Sequence, residues 1–192
     1  MKRRSLLSMG GGSFETPFDM LSGCHQRIRM FCDLAQRLPA QPAPAEEVAE
    51  AASRLCLYFG TALPLHEQDE EDTLHRAMQA AGAPGMDALF ARLRKEHRTI
   101  EEVLQELLPR WESLKESPEL LAAEKEKLGQ DAEALAAAFA PHLDMEENEL
   151  YPLARRVLSA DVLADMLRAM RARREPVIGK LTSLHGTLVQ GP

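Results

Sequence analysis

The sequence contains few of the residues that favour β-sheets. Aromatic residues make up only 5% of its 192 residues, and valine, isoleucine and threonine are also scarce, whereas alanine and leucine dominate. Aromatic and β-branched side chains favour strands, while alanine and leucine favour helices. The composition therefore predicts an all-α protein. Its length suits one domain that buries a substantial core of its own.

Cysteine is also scarce, and long apolar runs and an excess of positive charge are absent. The three cysteines, Cys24, Cys32 and Cys56, form no C-x-x-C pair, and their odd number argues against a complete disulfide framework. No apolar run approaches the length of a membrane span, and none follows the basic residues 2–4 as a secretory signal requires. A net charge of −7 argues against nucleic acid as the main partner. We expect a cytoplasmic protein that binds neither membrane nor nucleic acid.

Apolar residues recur at helical spacing in four long segments, which prolines and glycines separate. The expected helices cover residues 17–38, 45–80, 86–116 and 117–157. Pro64 lies inside the second helix and is expected to kink it. Long amphipathic helices joined by short connections predict an antiparallel up-down four-helix bundle.

The sequence also predicts where the bundle begins and ends and what lies on either side of it. We expect a flexible tail over residues 1–16, the bundle over residues 17–158, and a C-terminal helical extension and tail over residues 159–192. A short fifth helix is expected to end near residue 174. The basic residues of that helix are expected to form a solvated face. They are Arg168, Arg171, Arg173 and Arg174.

One arrangement of ionisable residues occurs twice in the chain: a lone histidine, a long gap, and then His-x-x-x-Glu. The residues are His25, His66 and Glu70 in the first half and His97, His142 and Glu146 in the second. A histidine and a glutamate at that spacing lie on the same face of a helix. Four imidazoles and two carboxylates from two matching halves are the ligand set of a two-metal site.

All six residues occupy the apolar stripes of their helices rather than the solvated faces. His25, for example, lies between Leu21 and Ile28 in register. Burying an unpaired charge costs several kcal/mol, and six such groups would exceed the net stability of a typical domain, about 5–15 kcal/mol. A pair of divalent cations would compensate directly. The alternative is a helical bundle whose polar residues are incidental.

Other possible ligands fit less well. His75 lies about half a turn away from His66 in phase and is expected at the surface. Cys24 points away from His25, and Cys32 lies about 10 Å along the helix from it, so both are expected to be packing residues. His66-Glu67 begins like the zinc motif H-E-x-x-H, but Glu70 replaces the second histidine.

The chain resembles the hemerythrin-like, or HHE cation-binding, family over about residues 17–158. The residues that carry this resemblance are His25, His66-x-x-x-Glu70-Glu71, Glu96-His97, and His142-x-x-x-Glu146-Glu147-x-x-Leu150-Tyr151-Pro152. The resemblance implies a four-helix bundle with a non-haem di-iron centre that two carboxylates bridge. It implies two iron ions as the cofactor. Imidazole and carboxylate donors without thiolates also suit zinc or manganese.

The chain departs from the oxygen-carrying hemerythrins at two points. Those proteins have a fifth histidine one turn from the one that His97 resembles, where this chain has Leu93 and Glu101. Their last carboxylate is an aspartate five residues after its histidine, whereas Glu146 follows His142 by four. These differences argue against reversible oxygen carriage. Glu67 or Glu101 could also occupy the open coordination position.

Three functions remain open from the sequence. The favoured one is a non-enzymatic di-iron protein that binds or senses dioxygen, nitric oxide or iron. The second is a di-iron oxidase or peroxidase that handles reactive oxygen or nitrogen species, although no additional nucleophile or redox cysteine pair supports it. The third is a structural bundle without a metal. Metal content separates the third function from the other two.

Overall fold

The computed structural model describes residues 14–187, with side chains described for residues 14–175. Within this part of the chain the structure is helical and contains no strand. Helix α1 is Pro17–Ala40, α3 is Met86–Glu116 and α5 is Ala160–Thr187. Helix α2 runs continuously through Ala45–Leu57, Tyr58–Ala62, Leu63–Gln68, Asp69–Leu74 and His75–Ala80. Helix α4 runs continuously through Leu121–Met145, Glu146–Leu150 and Tyr151–Val157, after the short 3₁₀ turn Pro118–Leu120.

Local sequence signals account for where these helices begin. Thr16 and Asp19 form a reciprocal capping box at the start of α1, with Pro17 in the first turn. Gly85 precedes α3 with a φ of 76°, a left-handed conformation that glycine adopts without strain. The end of α1 was expected at Leu38, but the helix continues through Pro39 to Ala40.

Two of the long helices change their winding beside the predicted ligands. Asp69–Leu74 in α2 and Glu146–Leu150 in α4 are π-helical. A further π-helical segment, Tyr58–Ala62, precedes Pro64, where the sequence predicts a kink. A π turn holds an extra residue and is frequent at functional sites. It also rotates all the residues that follow it around the helix axis, and this rotation determines which side chains point inward.

The first four helices form the predicted bundle. Helix α1 packs beside α4, α4 beside α3, and α3 beside α2. The core consists of two apolar clusters at opposite ends of the bundle. One includes Ile28, Phe59, Trp111 and Phe139, and the other includes Leu21, Leu74, Phe90 and Leu150. The six ionisable residues lie between these clusters in sequence register, so apolar packing supports both sides of their level.

Helix α5 is longer than expected and packs against α1 and the π-helical part of α2. The expectation that its arginines form a solvated face was wrong for two of them. Arg173 and Arg174 are mostly buried because they pair with Asp69, whereas Arg168 is exposed. The predicted N-terminal tail falls largely on residues 1–13 and the end of the C-terminal tail on residues 188–192, both outside the described residues. Among the described helices, none is long and apolar enough to cross a membrane.

Candidate metal centre

The structure brings the six sequence-predicted residues together in the middle of the bundle. His25, Glu70 and Glu146 are fully buried, and His66, His97 and His142 are 2%, 7% and 1% exposed. They form two groups whose ligand atoms all lie within 4.8 Å of one another: His25, His66, Glu70 and Glu146 in the first, and Glu70, His97, His142 and Glu146 in the second. Both groups therefore share the same two carboxylates.

Each shared carboxylate lies between one histidine of each group. Glu70 Oε1 is 3.6 Å from His66 Nε2, and Glu70 Oε2 is 3.5 Å from His97 Nε2. Glu146 repeats this arrangement, with Oε2 at 3.1 Å from His25 Nε2 and Oε1 at 3.4 Å from His142 Nε2. A carboxylate whose two oxygens face different histidine pairs has the geometry of a bridge between two ions.

The chemistry of these donors fits a pair of cations. Several fully buried atoms have no hydrogen-bond partner within the described part of the chain: His66 Nε2, His97 Nε2, Glu70 Oε2 and both oxygens of Glu146. Buried polar atoms are normally paired, and orphaned ones need an explanation. Neutral imidazole and carboxylate without thiolate suit iron, manganese or zinc. These five atoms belong to the predicted ligands, although within the described residues Arg54, Asp69 and Asp131 also bury an atom without a hydrogen-bond partner.

Three of the four histidines are fixed by a second carboxylate. His25 Nδ1 lies 2.7 Å from Glu147 and His97 Nδ1 lies 2.7 Å from Glu71. His142 Nδ1 lies 3.2 Å from Glu96. A carboxylate that accepts the Nδ1 proton fixes the ring and leaves Nε2 free for a metal. The Nε2 atoms accordingly point toward the two carboxylates that both groups share.

The comparison with known proteins agrees with this geometry. The model of the hemerythrin HHE cation-binding domain matches residues 16–154. The chain belongs to the hemerythrin HHE cation-binding family. A Haemophilus influenzae protein named "Uncharacterized protein" is 27% identical over 169 residues, which cover 85% of this chain and 92% of that protein. No solved structure matches significantly.

The fourth histidine of this HHE domain has a different neighbour. Neither ring nitrogen of His66 has a hydrogen-bond partner within the described part of the chain, and the side chain facing it is Cys24. Arg27 donates to Cys24 Sγ at 3.2 Å. Burial raises the pKa of this thiol, but its contact with His66 and the positive charges of His66, Arg27 and Arg174 outweigh burial and bring the pKa down to about 7. The expectation that Cys24 only packs was therefore incomplete.

Tyr151 is a site residue to which the sequence patterns assigned no role. Its hydroxyl donates a 2.6 Å hydrogen bond to Glu70 Oε1 and lies 2.9 Å from His25 Nε2. The side chain is 1% exposed. It therefore stands beside the first group of ligands, and the second group has no equivalent among the described contacts. The two halves of the site are alike in their ligands but different in their surroundings.

The ionisable residues of the site shift one another's pKa values. Burial disfavours the charged form of His66, but the negative charge of Glu70 outweighs burial and raises the pKa of His66 to about 9. Burial works to raise the pKa of Glu70, yet nearby histidines hold it well below its usual range. Burial and the Glu70 charge raise the pKa of Glu146 well above its usual range. Without metal, the two shared carboxylates therefore differ, since the pKa of Glu70 is lowered and that of Glu146 is raised.

The two carboxylates considered as extra ligands lie at the edge of the site. Glu67 is half-buried and Glu101 is exposed, and both line a cavity of about 380 Å³ that also reaches His97. Neither belongs to the two ligand groups. Burial raises the pKa of the Glu67 carboxyl, and positive charge on His97 opposes this effect. Both residues therefore flank the second group rather than complete it.

His75 lies outside the site, as expected, but it is not a plain surface residue. It is half-buried, and its ring packs against Phe90 with centroids 4.4 Å apart.

The three outer carboxylates, which contact histidine Nδ1 atoms, could be recognised in the sequence by their position. Glu71 and Glu147 directly follow the shared glutamates, and Glu96 directly precedes His97. Tyr151 carried no periodic signal, because its inward position depends on the preceding π turn.

Proposed function

We propose that this HHE domain is a non-haem di-iron protein that binds or senses dioxygen, nitric oxide or iron. The observation that carries the proposal is the pair of ligand groups sharing Glu70 and Glu146. Each group supplies two imidazoles and two carboxylates, so one cation in each group would have four ligands. Such a cation keeps room for a further small ligand. Bound iron would supply a redox-active centre able to bind a diatomic molecule.

The residues around the six ligands support this role in distinct ways. Glu71, Glu96 and Glu147 hold three imidazoles with Nε2 directed inward. The nearly complete burial of the ligands keeps bulk water away from the site. Low exposure strengthens the attraction between the carboxylates and a cation. The chain thus supplies a preorganised and enclosed chamber of nitrogen and oxygen donors.

A di-iron oxidase or peroxidase is the second candidate, and Tyr151 is the observation that favours it. Its buried hydroxyl can donate a proton within the site, because it already donates a hydrogen bond to Glu70. Burial raises the pKa of Tyr151 well above its usual range, so the phenol keeps its proton at neutral pH. Turnover of hydrogen peroxide or nitric oxide separates the two candidates.

We also propose that the protein works in the cytoplasm on a small molecule rather than on nucleic acid or a membrane. Its three cysteines are free in the structure, which suits a reducing compartment. The net charge of −7 disfavours a polyanionic partner. Fractionation of the source cells checks the location.

Metal analysis of protein made with iron available tests the proposal. We expect about two iron ions per chain, one for each ligand group, and a visible spectrum that changes when the reduced protein meets dioxygen or nitric oxide. Glu146→Ala removes a ligand from both groups and is expected to lower the content of both ions. Glu102→Gln, an exposed change on α3, is the matched control. One iron or none in the unaltered protein contradicts the dinuclear centre.

A further inference from the structure

The two ends of the metal centre differ in how they are closed. At the first group, the Tyr151 hydroxyl lies between His25 and Glu70. Behind that end, Asp69 is fully buried, and Arg173 and Arg174 of α5 pair with it. This end is therefore covered by an aromatic ring and by a helix that lies beyond the matched HHE segment.

The second group lies beside a cavity instead. His97 is the most exposed of the six residues at 7%, and it lines the cavity of about 380 Å³ between α2 and α3. Its Nε2 atom is buried and has no hydrogen-bond partner within the described residues. The cavity, which is large enough for several water molecules, therefore reaches a predicted ligand that has an unpartnered buried atom.

The charges lining this cavity favour a cation. Four carboxylates face two guanidinium groups: Glu67, Glu71, Asp72 and Glu101 against Arg94 and Arg98. Among the carboxylates not bonded to a histidine, Glu67 lies deepest, since it is half-buried while Asp72 and Glu101 are exposed. Burial raises its pKa, while positive charge on His97 and His66 works to lower it. Glu101 is exposed at the outer side. Carboxylates at successive depths give a hydrated divalent cation a series of oxygen ligands.

We propose that this cavity is the entry port through which a divalent cation reaches the metal centre. Glu101 attracts the ion at the mouth, and Glu67 ligates it transiently before it moves to His97 and the bridging carboxylates. The proposal rests on the proposed two-metal function and assigns it a route. Glu67 and Glu101 act on the rate of loading and are not part of the final ligand set.

The rate at which metal-free protein takes up Co²⁺ tests this route, because cobalt gains a visible spectrum on coordination and reports both rate and amount. Electrostatic steering changes association rates by about ten-fold or more. We expect Glu67→Gln and the Glu67→Gln, Glu101→Gln pair to slow loading by about ten-fold, with the final cobalt content unchanged. Arg98→Gln removes an opposing charge and is expected to speed loading.

Matched controls separate this route from a general charge effect. Glu126→Gln removes an exposed carboxylate that lines a different cavity, beside α1, and is expected to load at the normal rate. Added salt should slow the unaltered protein more than the double variant, because exposed charges are screened beyond about 10 Å at 0.1 M salt.

Three outcomes overturn the proposal. If both cavity variants load at the rate of Glu126→Gln, the ion enters elsewhere. If Glu67→Gln lowers the final cobalt content, Glu67 is a permanent ligand rather than a transfer site. If the unaltered protein binds no cobalt and no iron at all, the two-metal function fails, and the entry route fails with it.

Discussion

The hydroxyl of Tyr151 donates a 2.6 Å hydrogen bond to Glu70 Oε1, one of the two oxygens that face the predicted metal pair. Tyr151→Phe removes this bond and leaves the ring in place. We expect two metals to remain bound, a shifted visible spectrum, and a stability loss of about 1–2 kcal/mol. Absorption and thermal unfolding measure both effects.

Tyr58→Phe is the control for that change. Tyr58 is the other tyrosine of the chain, it is also buried, and its hydroxyl donates to the Cys24 carbonyl at 3.4 Å. It too should lose a little stability, but its metal spectrum should match that of the unaltered protein. Identical visible spectra for the two variants would show that the Tyr151 hydroxyl does not affect the bound metals.

The outer carboxylates should set metal affinity. Glu147→Gln takes away the charge that holds His25 Nδ1 at 2.7 Å, and loss of such a partner costs about 10–100-fold in metal affinity. Glu149→Gln is the control, because Glu149 pairs with Arg92 at the surface much as Glu147 pairs with Arg29. Competition with a coloured chelator measures both affinities, and equal values contradict the role of Glu147.

Removing a ligand should affect metal content and stability together. We expect His97→Ala and His142→Ala each to bind less iron and to unfold at lower temperature, because metal binding stabilises only the folded state. His75→Ala should bind iron normally. It should still unfold somewhat earlier, since it loses its packing on Phe90. An iron loss at His75 equal to that at His97 would refute the placement of the site.

Metal binding should release protons. The pKa of His66 is raised to about 9, so this histidine is protonated at pH 7 without metal. It must lose this proton to ligate, so we expect release of about one proton or more per chain. Affinity should rise as the pH rises toward 9 and then level off. Calorimetry in buffers of different ionisation enthalpy counts the protons, and heats independent of the buffer contradict the assignment.

The contact between α5 and the site should be worth several kcal/mol. Asp69 is fully buried, and Arg173 and Arg174 compensate its charge. Replacing both arginines with glutamine leaves a buried carboxylate unpaired, which costs about 3–5 kcal/mol. Adding Asp69→Asn should restore part of this loss. Arg168→Gln breaks only an exposed pair with Asp165 and is the control in denaturant unfolding. If the double arginine variant loses as little unfolding free energy as Arg168→Gln, the buried pairs contribute little.

The helices and the six candidate ligands were accessible from the sequence for the same reason. Regular helices place every third or fourth residue on one face, so His25 and His97 could be assigned to the interior from Leu21 and Leu93 alone. The four-helix bundle and the C-terminal helix are confirmed. The metal ligation of the six residues, the domain boundaries and the two iron ions stay predictions.

The orientation of a side chain that follows a break in helical periodicity could not be predicted from the apolar pattern. Tyr151 lies nine residues after His142, which is half a turn out of phase in an α-helix. The π turn Glu146–Leu150 inserts an extra residue and rotates Tyr151 onto the site. Hydrogen bonding in the folded helix decides where such a turn forms, and the apolar pattern carries no sign of it.

The sequence by itself determined the helical class and the inward-facing positions of the ligands, because both depend on residues close together along one helix. It also determined the family, because short motifs along the chain carry that resemblance. Only the tertiary structure decided which carboxylate serves which histidine. It also placed α5 over Asp69 and left His97 beside a cavity. These relations join residues far apart in the chain, such as His25 and Glu147, and depend on how the helices rotate and pack against one another.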